Sequence, residues 1–217
     1  MPDFVHETRL TAIGGASYVI GLDEAGRGPW AGPVTAAAVW LDPARCPAGL
    51  LDEIDDSKAL NPAARARVFA GLHEAVAAGG AAIGVGGARV DEIDTLNILR
   101  ASLLAMQRAA EDLQHRTAIL PTAALVDGNH LPALPYPAEA VIGGDRHSLS
   151  IAAASIIAKV VRDDRMDKLA KDYPGYGWEH NRGYGTQAHK TALAALGVTP
   201  EHRRSFRPIR EALALTL

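Results

Sequence analysis

The sequence predicts an α/β domain in which helices cover the faces of a β-sheet. Short apolar runs typical of buried strands come first along the chain and alternate with longer helical stretches. From about residue 148 onward the pattern is helical, and this combination is typical of a layered α/β architecture. No internal repeat or low-complexity linker divides the chain, so we expect a single domain over residues 1–217 with a helical C-terminal part.

Five strands are predicted from apolar runs that end at turn-forming residues. The first, Tyr18–Asp23, is followed by a glycine-rich segment, which ends it. The second, Val34–Leu41, is broken by Asp42 and Pro43. The remaining three strands are expected at Ala81–Ala88, Ala123–Asp127 and Glu139–Ile142.

Helices are predicted where apolar residues recur at helical spacing between capping and terminating residues. Asn61 as a cap and Pro62 in the first turn begin one helix, which runs to about Ala78 and ends at Gly79 and Gly80. The others are one continuous helix from Val90 to about Leu113 and helices over 148–172, 186–196 and 201–214.

The composition excludes several classes of protein. Hydrophobic residues make up 48% of the 217 residues, which is enough to bury a core and argues against a disordered chain. The single cysteine, Cys46, excludes a disulfide scaffold, and the histidines show no zinc-site spacing. No apolar run is long enough to span a membrane, and the N-terminus lacks a signal-peptide pattern. We therefore expect a cytoplasmic protein without a membrane partner.

Charge is unevenly distributed along the chain. The net charge is −3, but residues 146–217 carry 12 Lys and Arg against 7 Asp and Glu, a balance of +5. Residues 1–145 carry 10 against 18, a balance of −8. An acidic part joined to a basic part suits an enzyme that holds cations and binds a polyanion. The alternative is that the basic residues only solvate helix surfaces.

Carboxylates stand at or near the ends of three predicted strands: Asp23 with Glu24, then Asp127, then Asp145. Strand ends of open α/β sheets are common ligand sites. Carboxylates that converge there repel one another unless cations neutralise them, and oxygen ligands select hard cations such as Mg²⁺ or Mn²⁺. The alternative is that these side chains only cap turns or helices.

The pair Asp23 and Glu24 imposes a geometric condition on such a site. Adjacent strand residues point to opposite faces of a sheet, so both can reach one site only if the chain bends between them. The small residues Ala25 and Gly26 permit this bend. The backbone carbonyl of Glu24 is an alternative ligand.

Nine motifs follow one another in a fixed order between Tyr18 and Pro208. They are Gly21–Pro33, Asp56–Leu60, Ile93–Ile98, Val126–Asn129, Gly144–Asp145, Ser150–Lys159, Tyr173–Tyr176, Asn181–Thr186 and His202–Pro208. Together they resemble the type 2 ribonuclease H family, bacterial ribonuclease HII, over nearly the whole chain. Ala59 and Arg182 stand where many members of that family carry lysine.

The resemblance implies a fold and an activity. The fold is an RNase H-like mixed sheet flanked by helices. The activity is that of a monomeric endoribonuclease acting on RNA–DNA hybrids and on DNA duplexes with an embedded ribonucleotide. It hydrolyses the RNA strand of the hybrid and cuts 5′ of the single ribonucleotide, leaving 3′-hydroxyl and 5′-phosphate ends.

The resemblance also implies roles for particular residues. Two Mg²⁺ or Mn²⁺ ions are bound by the catalytic carboxylates Asp23, Glu24, Asp127 and Asp145. The loop Gly26-Arg27-Gly28 contacts the backbone and the 2′-hydroxyl at the RNA–DNA junction, and Tyr184 completes the recognition. Tyr184 is preferred to Tyr176 because it lies in a Gly-Tyr-Gly-Thr motif.

Each substrate-binding residue also has a simpler structural interpretation. Gly26 and Gly28 suit an ordinary turn after a strand, Arg27 could pair with a local carboxylate, and Tyr184 could be a core tyrosine. Candidates for phosphate contacts, or for solvated surface residues, are Lys159, Arg162, Arg165, Arg203, Arg204 and Arg207. Ser205 and Asn129 are expected either to contact the substrate backbone or to cap locally.

Two other functions remain open at this stage. An RNase H-like nuclease for DNA junctions or ends would share the carboxylates but lack the 2′-hydroxyl reader, so an all-DNA substrate separates the two. A non-catalytic nucleic-acid-binding module has no use for four carboxylates that repel phosphate, and its binding would not depend on metal.

Overall fold

The structure is a computed structural model that describes residues 1–15 and 17–214. Within these residues, five strands form one mixed sheet in the order β3-β2-β1-β4-β5. β2 is antiparallel to both β1 and β3, whereas β4 is parallel to both β1 and β5. The strands are Val19–Ala25 (β1), Val34–Leu41 (β2), Ala81–Ala88 (β3), Ala123–Asp127 (β4) and Ala138–Val141 (β5).

Helices cover both faces of this sheet. α6 packs on β1 and β2 from one side together with α3, and α5 packs on β2 and β3 from the other. The helices are Val5–Gly14 (α1), Ala48–Glu53 (α2), Pro62–Ala77 (α3), Val90–Leu96 (α4), Ile98–Arg116 (α5), Leu149–Asp172 (α6), Trp178–Asn181 (α7), Gln187–Leu196 (α8) and Arg207–Ala214 (α9). A short 3₁₀ turn spans Gly144–Arg146. The expected mixed sheet flanked by helices is confirmed.

Small residues allow α6 to lie directly on β1. A Cβ atom at Gly21 would lie 2.1 Å from the backbone carbon of Ser150, so only glycine fits there. The buried alanines Ala152, Ala153 and Ala154 continue this contact along α6. Since the helix is so close to the strand, its next polar residues reach the end of β1, where the predicted carboxylates lie.

Two helix predictions were wrong. The expected single helix from Val90 to Leu113 is interrupted at Asn97, whose φ of 72° ends α4. The side-chain oxygen of Asn97 then accepts the backbone N–H of Arg100 and caps α5. The last helix begins at Arg207 rather than at Glu201, because the segment before it turns and donates backbone N–H groups to Asp94.

The C-terminal helices build a small second core. Trp178 is fully buried, and Tyr176 stacks on it at 5.1 Å between ring centroids. His189 and His202 lie fully buried beside these rings. Burial, followed by the nearby His189, lowers the pKa of His202 to about 4. This pair is therefore uncharged in the folded protein at neutral pH.

The low pKa of His202 predicts a loss of stability in acid. A histidine whose pKa is lower in the folded than in the unfolded chain stabilises the fold above the unfolded pKa of about 6.5. That stabilisation, about 3 kcal/mol from a shift of this size, is lost as the pH falls toward 4. Urea unfolding of the wild type and of His202→Gln between pH 7 and 5 measures it.

In the His202→Gln variant the free energy of unfolding is expected to fall less steeply with decreasing pH than in the wild type. The matched control is His180→Gln, because the His180 side chain is exposed in α7. Its pH dependence is expected to match that of the wild type. Equal slopes in all three proteins would contradict this prediction.

Candidate active site

The parallel strands β1 and β4 bring two of the predicted carboxylates to the same end of the sheet. Leu22 pairs with Val126 in this register, so Asp23 and Asp127 follow at adjacent positions. Asp127 accepts the backbone N–H of Gly144 at 2.7 Å, which ties the 3₁₀ turn to the end of β4. The following residue, Asp145, is thereby placed near the other two.

Glu24 reaches this end of the sheet without a bend between it and Asp23. The pairing of β1 with β2 continues without interruption through Asp23 and Glu24 to Ala25. The chain therefore does not bend between the two acids. It turns instead at Gly26, where φ is 97°. Asp23 and Glu24 leave the strand end on opposite faces, yet both side chains are close enough to Asp127 for its repulsion to raise their pKa values.

The four carboxylates nevertheless influence one another. Burial, followed by repulsion from Glu24 and Asp127, raises the pKa of Asp23 well above its usual range. Burial also raises the pKa of Glu24, while Arg27 opposes that rise. For Asp145, burial raises the pKa, and repulsion from Asp56 and Asp127 adds to it. The strand ends therefore concentrate negative charge in a poorly solvated place.

This donor set fits a hard divalent cation in its chemistry. The groups are oxygen ligands, and a cation would relieve the repulsion that raises their pKa values. Arg27 lies 3.2 Å from Glu24 and Lys58 lies 3.8 Å from Asp145. Over residues 1–15 and 17–214, no three acidic, histidine or cysteine side chains are already arranged to hold an ion.

The segment before α3 contributes residues to which sequence reasoning gave no role. The Ser57 hydroxyl lies 2.8 Å from that of Ser155 in α6, and Lys58 extends toward Asp145. Asp56 is buried and lies 3.5 Å from Arg146. The signal in the sequence was the motif Asp56–Leu60, whose position beside the carboxylates becomes visible only in the folded chain.

The loop after β1 lines a cleft of about 290 Å³ next to the carboxylates. Tyr184 lies against it, since a Cβ atom at Gly28 would be 3.3 Å from the tyrosine ring. The Tyr184 side chain is 48% exposed, whereas Tyr176 is 5% exposed and donates its hydroxyl to the carbonyl of Gly197. The alternative interpretation of Tyr184 as a core tyrosine therefore fits Tyr176 and does not fit Tyr184. The cleft lining includes Glu24, Gly26, Arg27, Gly28, Lys159 and Tyr184.

Two arginines predicted as phosphate contacts or surface residues are buried instead. Arg203 donates to the carbonyls of Gly26 at 2.6 Å, Arg27 at 2.9 Å and Gly32 at 2.9 Å. Burial lowers its pKa to about 9. Arg162 donates to the carbonyl of Pro33 at 3.1 Å and lies where a Cβ at Gly26 would be. Both arginines therefore support the loop, and Arg162 also lines the cleft.

The other candidates for phosphate contacts lie at the cleft or at the surface, where a phosphate could reach them. Lys159 lines the cleft and pairs with Asp163 at 2.8 Å. Arg165, Arg204 and Arg207 are exposed. Ser205 donates its hydroxyl to Asp94, which is the local role proposed as its alternative. Asn129 is exposed beside His130.

Comparison with known proteins agrees with this architecture. The sequence matches the profile of the family described as ribonuclease HII over residues 20–209. Ribonuclease HII of Granulibacter bethesdensis is 56% identical over 199 residues, which cover 92% of this chain and 88% of that protein. No helix in the described residues is long and apolar enough to cross a membrane.

Solved structures share the fold. Ribonuclease H2 from Pyrococcus horikoshii superposes with a TM-score of 0.72 and 26% identity, covering 91% of this chain and 98% of that one. Bst-RNase HIII, solved in complex with Mn²⁺, gives a TM-score of 0.73 at 21% identity, covering 91% of this chain and 70% of its own. The mixed sheet, the motif order and these matches together show that the chain belongs to the ribonuclease HII family and is a ribonuclease H, a hydrolase of nucleic acid.

Proposed function

We propose that the protein is an Mg²⁺- or Mn²⁺-dependent endoribonuclease with two related substrates. It hydrolyses the RNA strand of RNA–DNA hybrids, and it cuts 5′ of single ribonucleotides embedded in duplex DNA. The products carry 3′-hydroxyl and 5′-phosphate ends. The observation that carries this proposal is the position of buried Asp23 and half-buried Asp127 beside a cleft formed by the Gly26–Gly28 loop and Tyr184.

The carboxylates Asp23, Glu24, Asp127 and Asp145 would hold the cations. Two divalent ions in such a site supply an activated water and stabilise the leaving oxygen of a phosphodiester. The protein contributes position and electrostatics. Asp23 is fixed by its hydrogen bond from the Glu24 backbone, and Asp127 by that from Gly144. These bonds limit how far the two side chains can turn.

The cleft next to the carboxylates supports recognition of a ribonucleotide. Three carbonyls of the loop region, including those of Gly26 and Arg27, are turned inward onto Arg203. Glycine backbone lets a sugar or phosphate approach closely, because no Cβ intervenes. A polar site that contacts the 2′-hydroxyl discriminates against DNA, because a DNA substrate leaves the polar groups of the site unpaired. Tyr184 adds an exposed ring with a hydroxyl at its tip.

Cleavage of a uniform RNA–DNA hybrid in Mg²⁺, in Mn²⁺ and in EDTA tests the proposed reaction. We expect cleavage of the RNA strand with either cation and none in EDTA, with 5′-phosphates on the new ends. Cleavage that persists in EDTA, or products with 3′-phosphates, would overturn the proposed use of metal ions.

The Tyr184→Ala variant is expected to lose about tenfold in kcat/KM at a single embedded ribonucleotide, the size of one lost aromatic contact. Its affinity for Mn²⁺, measured by calorimetry, is expected to stay unchanged because Tyr184 is not one of the proposed cation ligands. The matched control is Tyr18→Ala, an exposed tyrosine at the opposite end of β1. Unchanged cleavage by Tyr184→Ala would remove Tyr184 from the reader.

A further inference from the structure

Two buried histidines lie next to the backbone of Tyr184. His189 in α8 and His202 in the segment before α9 face each other, with their Nε2 atoms 3.1 Å apart. Both rings are fully buried, and the indole of Trp178 packs against them. A buried imidazole pair with no acidic partner at hydrogen-bonding distance in the described residues is costly unless every proton has an acceptor.

The proton positions in this pair follow from donors that cannot accept. Nδ1 of His202 accepts the backbone N–H of Thr199 at 3.0 Å, and the Thr199 hydroxyl, which lies 2.9 Å away, can donate to it as well. Because the backbone N–H can only donate, we place no proton on this nitrogen. A neutral His202 then carries its proton on Nε2, which points to His189. At the other side, the indole N–H of Trp178 donates to Nε2 of His189 at 3.2 Å. This nitrogen therefore carries no proton, and its single lone pair is shared by the N–H groups of Trp178 and His202.

The proton of His189 must then be on Nδ1. That atom lies 3.0 Å from the carbonyl oxygen of Tyr184, which can only accept. The backbone N–H of Thr199 and the indole N–H of Trp178 can donate but cannot accept. Each of them independently implies the same donor-to-acceptor direction for the whole chain of hydrogen bonds. It runs from the Thr199 backbone through His202 and His189 to the Tyr184 carbonyl.

This chain of hydrogen bonds ends at the backbone carbonyl of Tyr184, whose ring is half exposed. The ring of Tyr184 meets solvent on one side, so its direction depends on how firmly its backbone is held. The same carbonyl also accepts the N–H of Thr186, and the hydroxyl of Thr186 caps α8 by accepting the N–H of His189. His189 is therefore connected to the tyrosine both through its ring and through the helix cap.

We infer that His189 and His202 are positioning residues for Tyr184. Their fixed tautomers anchor the carbonyl of Tyr184 and thereby hold its ring against Gly28 at the cleft. This inference rests on the proposed role of Tyr184 in reading the ribonucleotide. The chain requires both rings to be neutral, since a second proton on His189 would place donor against donor at Trp178 and His202.

The surroundings keep the pair neutral. Burial lowers the pKa of both rings, and the imidazole of His189 adds to the effect on His202. The phenol of Tyr176 faces the pair but donates to Gly197. Beside His202 in sequence, Arg203 extends to the Gly26 loop and Glu201 lines a separate surface cleft with Arg165.

A double-mutant cycle separates positioning from general packing. His189→Phe keeps an aromatic ring in the cluster and removes both nitrogens, whereas His189→Asn keeps an N–H donor close to the place of Nδ1. We expect His189→Phe to lower kcat/KM at a single ribonucleotide about fivefold, and His189→Asn to recover most of that loss. In a Tyr184→Ala background, His189→Phe is expected to add no further loss.

The control variant is His180→Phe, which changes an exposed histidine in α7 and is expected to cleave like the wild type. Nitrogen-15 NMR of the folded protein reads the tautomers directly: we expect a proton on Nδ1 of His189 and on Nε2 of His202. The opposite tautomer, or equal losses from His189→Phe in both backgrounds, would overturn this inference alone. An unchanged rate in Tyr184→Ala itself would overturn the reader assignment together with this inference.

Discussion

The Asp23→Asn variant is expected to lose a thousandfold or more of its cleavage rate, on the order of the loss of a group essential to a catalytic site. Asparagine matches aspartate in shape but brings no negative charge to a cation. Asp23 is 4% exposed and lies at the end of β1 beside Asp127. Single-turnover cleavage in saturating Mg²⁺ measures the loss, since it isolates the chemical step from product release.

The fold of Asp23→Asn is expected to survive. Burial and neighbouring acids raise the pKa of Asp23, so without cations the folded chain becomes less stable as the pH rises through that pKa. The amide removes this destabilisation, and the free energy of unfolding in EDTA at pH 8 should equal or exceed that of the wild type.

The matched control for Asp23→Asn is Asp52→Asn, which changes an exposed carboxylate in α2 and should keep full activity. Added Mn²⁺ should raise the melting temperature of the wild type and of Asp52→Asn more than that of Asp23→Asn, because binding to the folded state stabilises it. Full cleavage by Asp23→Asn, with an intact circular dichroism spectrum, would contradict the assignment of the site.

The Arg203→Leu variant is expected to lose about a hundredfold in kcat/KM, the effect of misplacing a binding group by about 1 Å. It removes the donors that hold the carbonyls of Gly26, Arg27 and Gly32. These carbonyls would be left unpaired in a buried place, which costs about 3 kcal/mol of folding free energy in total. Urea unfolding and cleavage at a single ribonucleotide measure the two effects.

Two further variants serve as comparisons for Arg203→Leu. Arg204→Leu changes the exposed neighbour and is expected to shift stability by less than about 0.5 kcal/mol. Arg203→Lys keeps the charge but not the planar fork, so it should recover only a small part of the loss. Wild-type activity in Arg203→Leu would mean that the loop keeps its shape without this arginine.

The sheet was predictable because its signals are local. Apolar runs bounded by turn residues predicted Val34–Leu41, Ala81–Ala88 and Ala123–Asp127 at the bounds that the structure has. The interruption at Asn97 was missed because its neighbours on both sides have helical periodicity. The signal available was the residue type, since asparagine adopts a positive φ more readily than most residues and also caps helices.

The carboxylates were predictable as a group because each stands near the end of a strand. Their separate geometry was not predictable, because the path from Asp23 to Gly26 depends on how far β1 continues to pair with β2. That pairing extends to Ala25 and Thr35. The register of two strands is set by the whole sheet and its packing.

The buried arginines were misplaced for a different reason. Arg162 and Arg203 lie in basic segments where solvated surface is the ordinary expectation. Most of their partners are carbonyl oxygens of residues 26–33, more than 120 positions away in the chain, and Arg162 also donates to the carbonyl of Arg182. A backbone carbonyl leaves no mark in a sequence, so an arginine that binds carbonyls has the same local pattern as one that binds phosphate.

The most direct test of the account uses two labelled DNA duplexes that differ only by one ribonucleotide. In Mg²⁺ we predict a single cut on the 5′ side of the ribonucleotide, with a 3′-hydroxyl on the upstream product, and no cleavage of the all-DNA duplex. The cut should be absent with Asp23→Asn. Equal cleavage of both duplexes, or no cleavage of either under conditions in which a uniform hybrid is cut, would contradict the proposed reading of the 2′-hydroxyl by the Gly26–Gly28 loop and Tyr184.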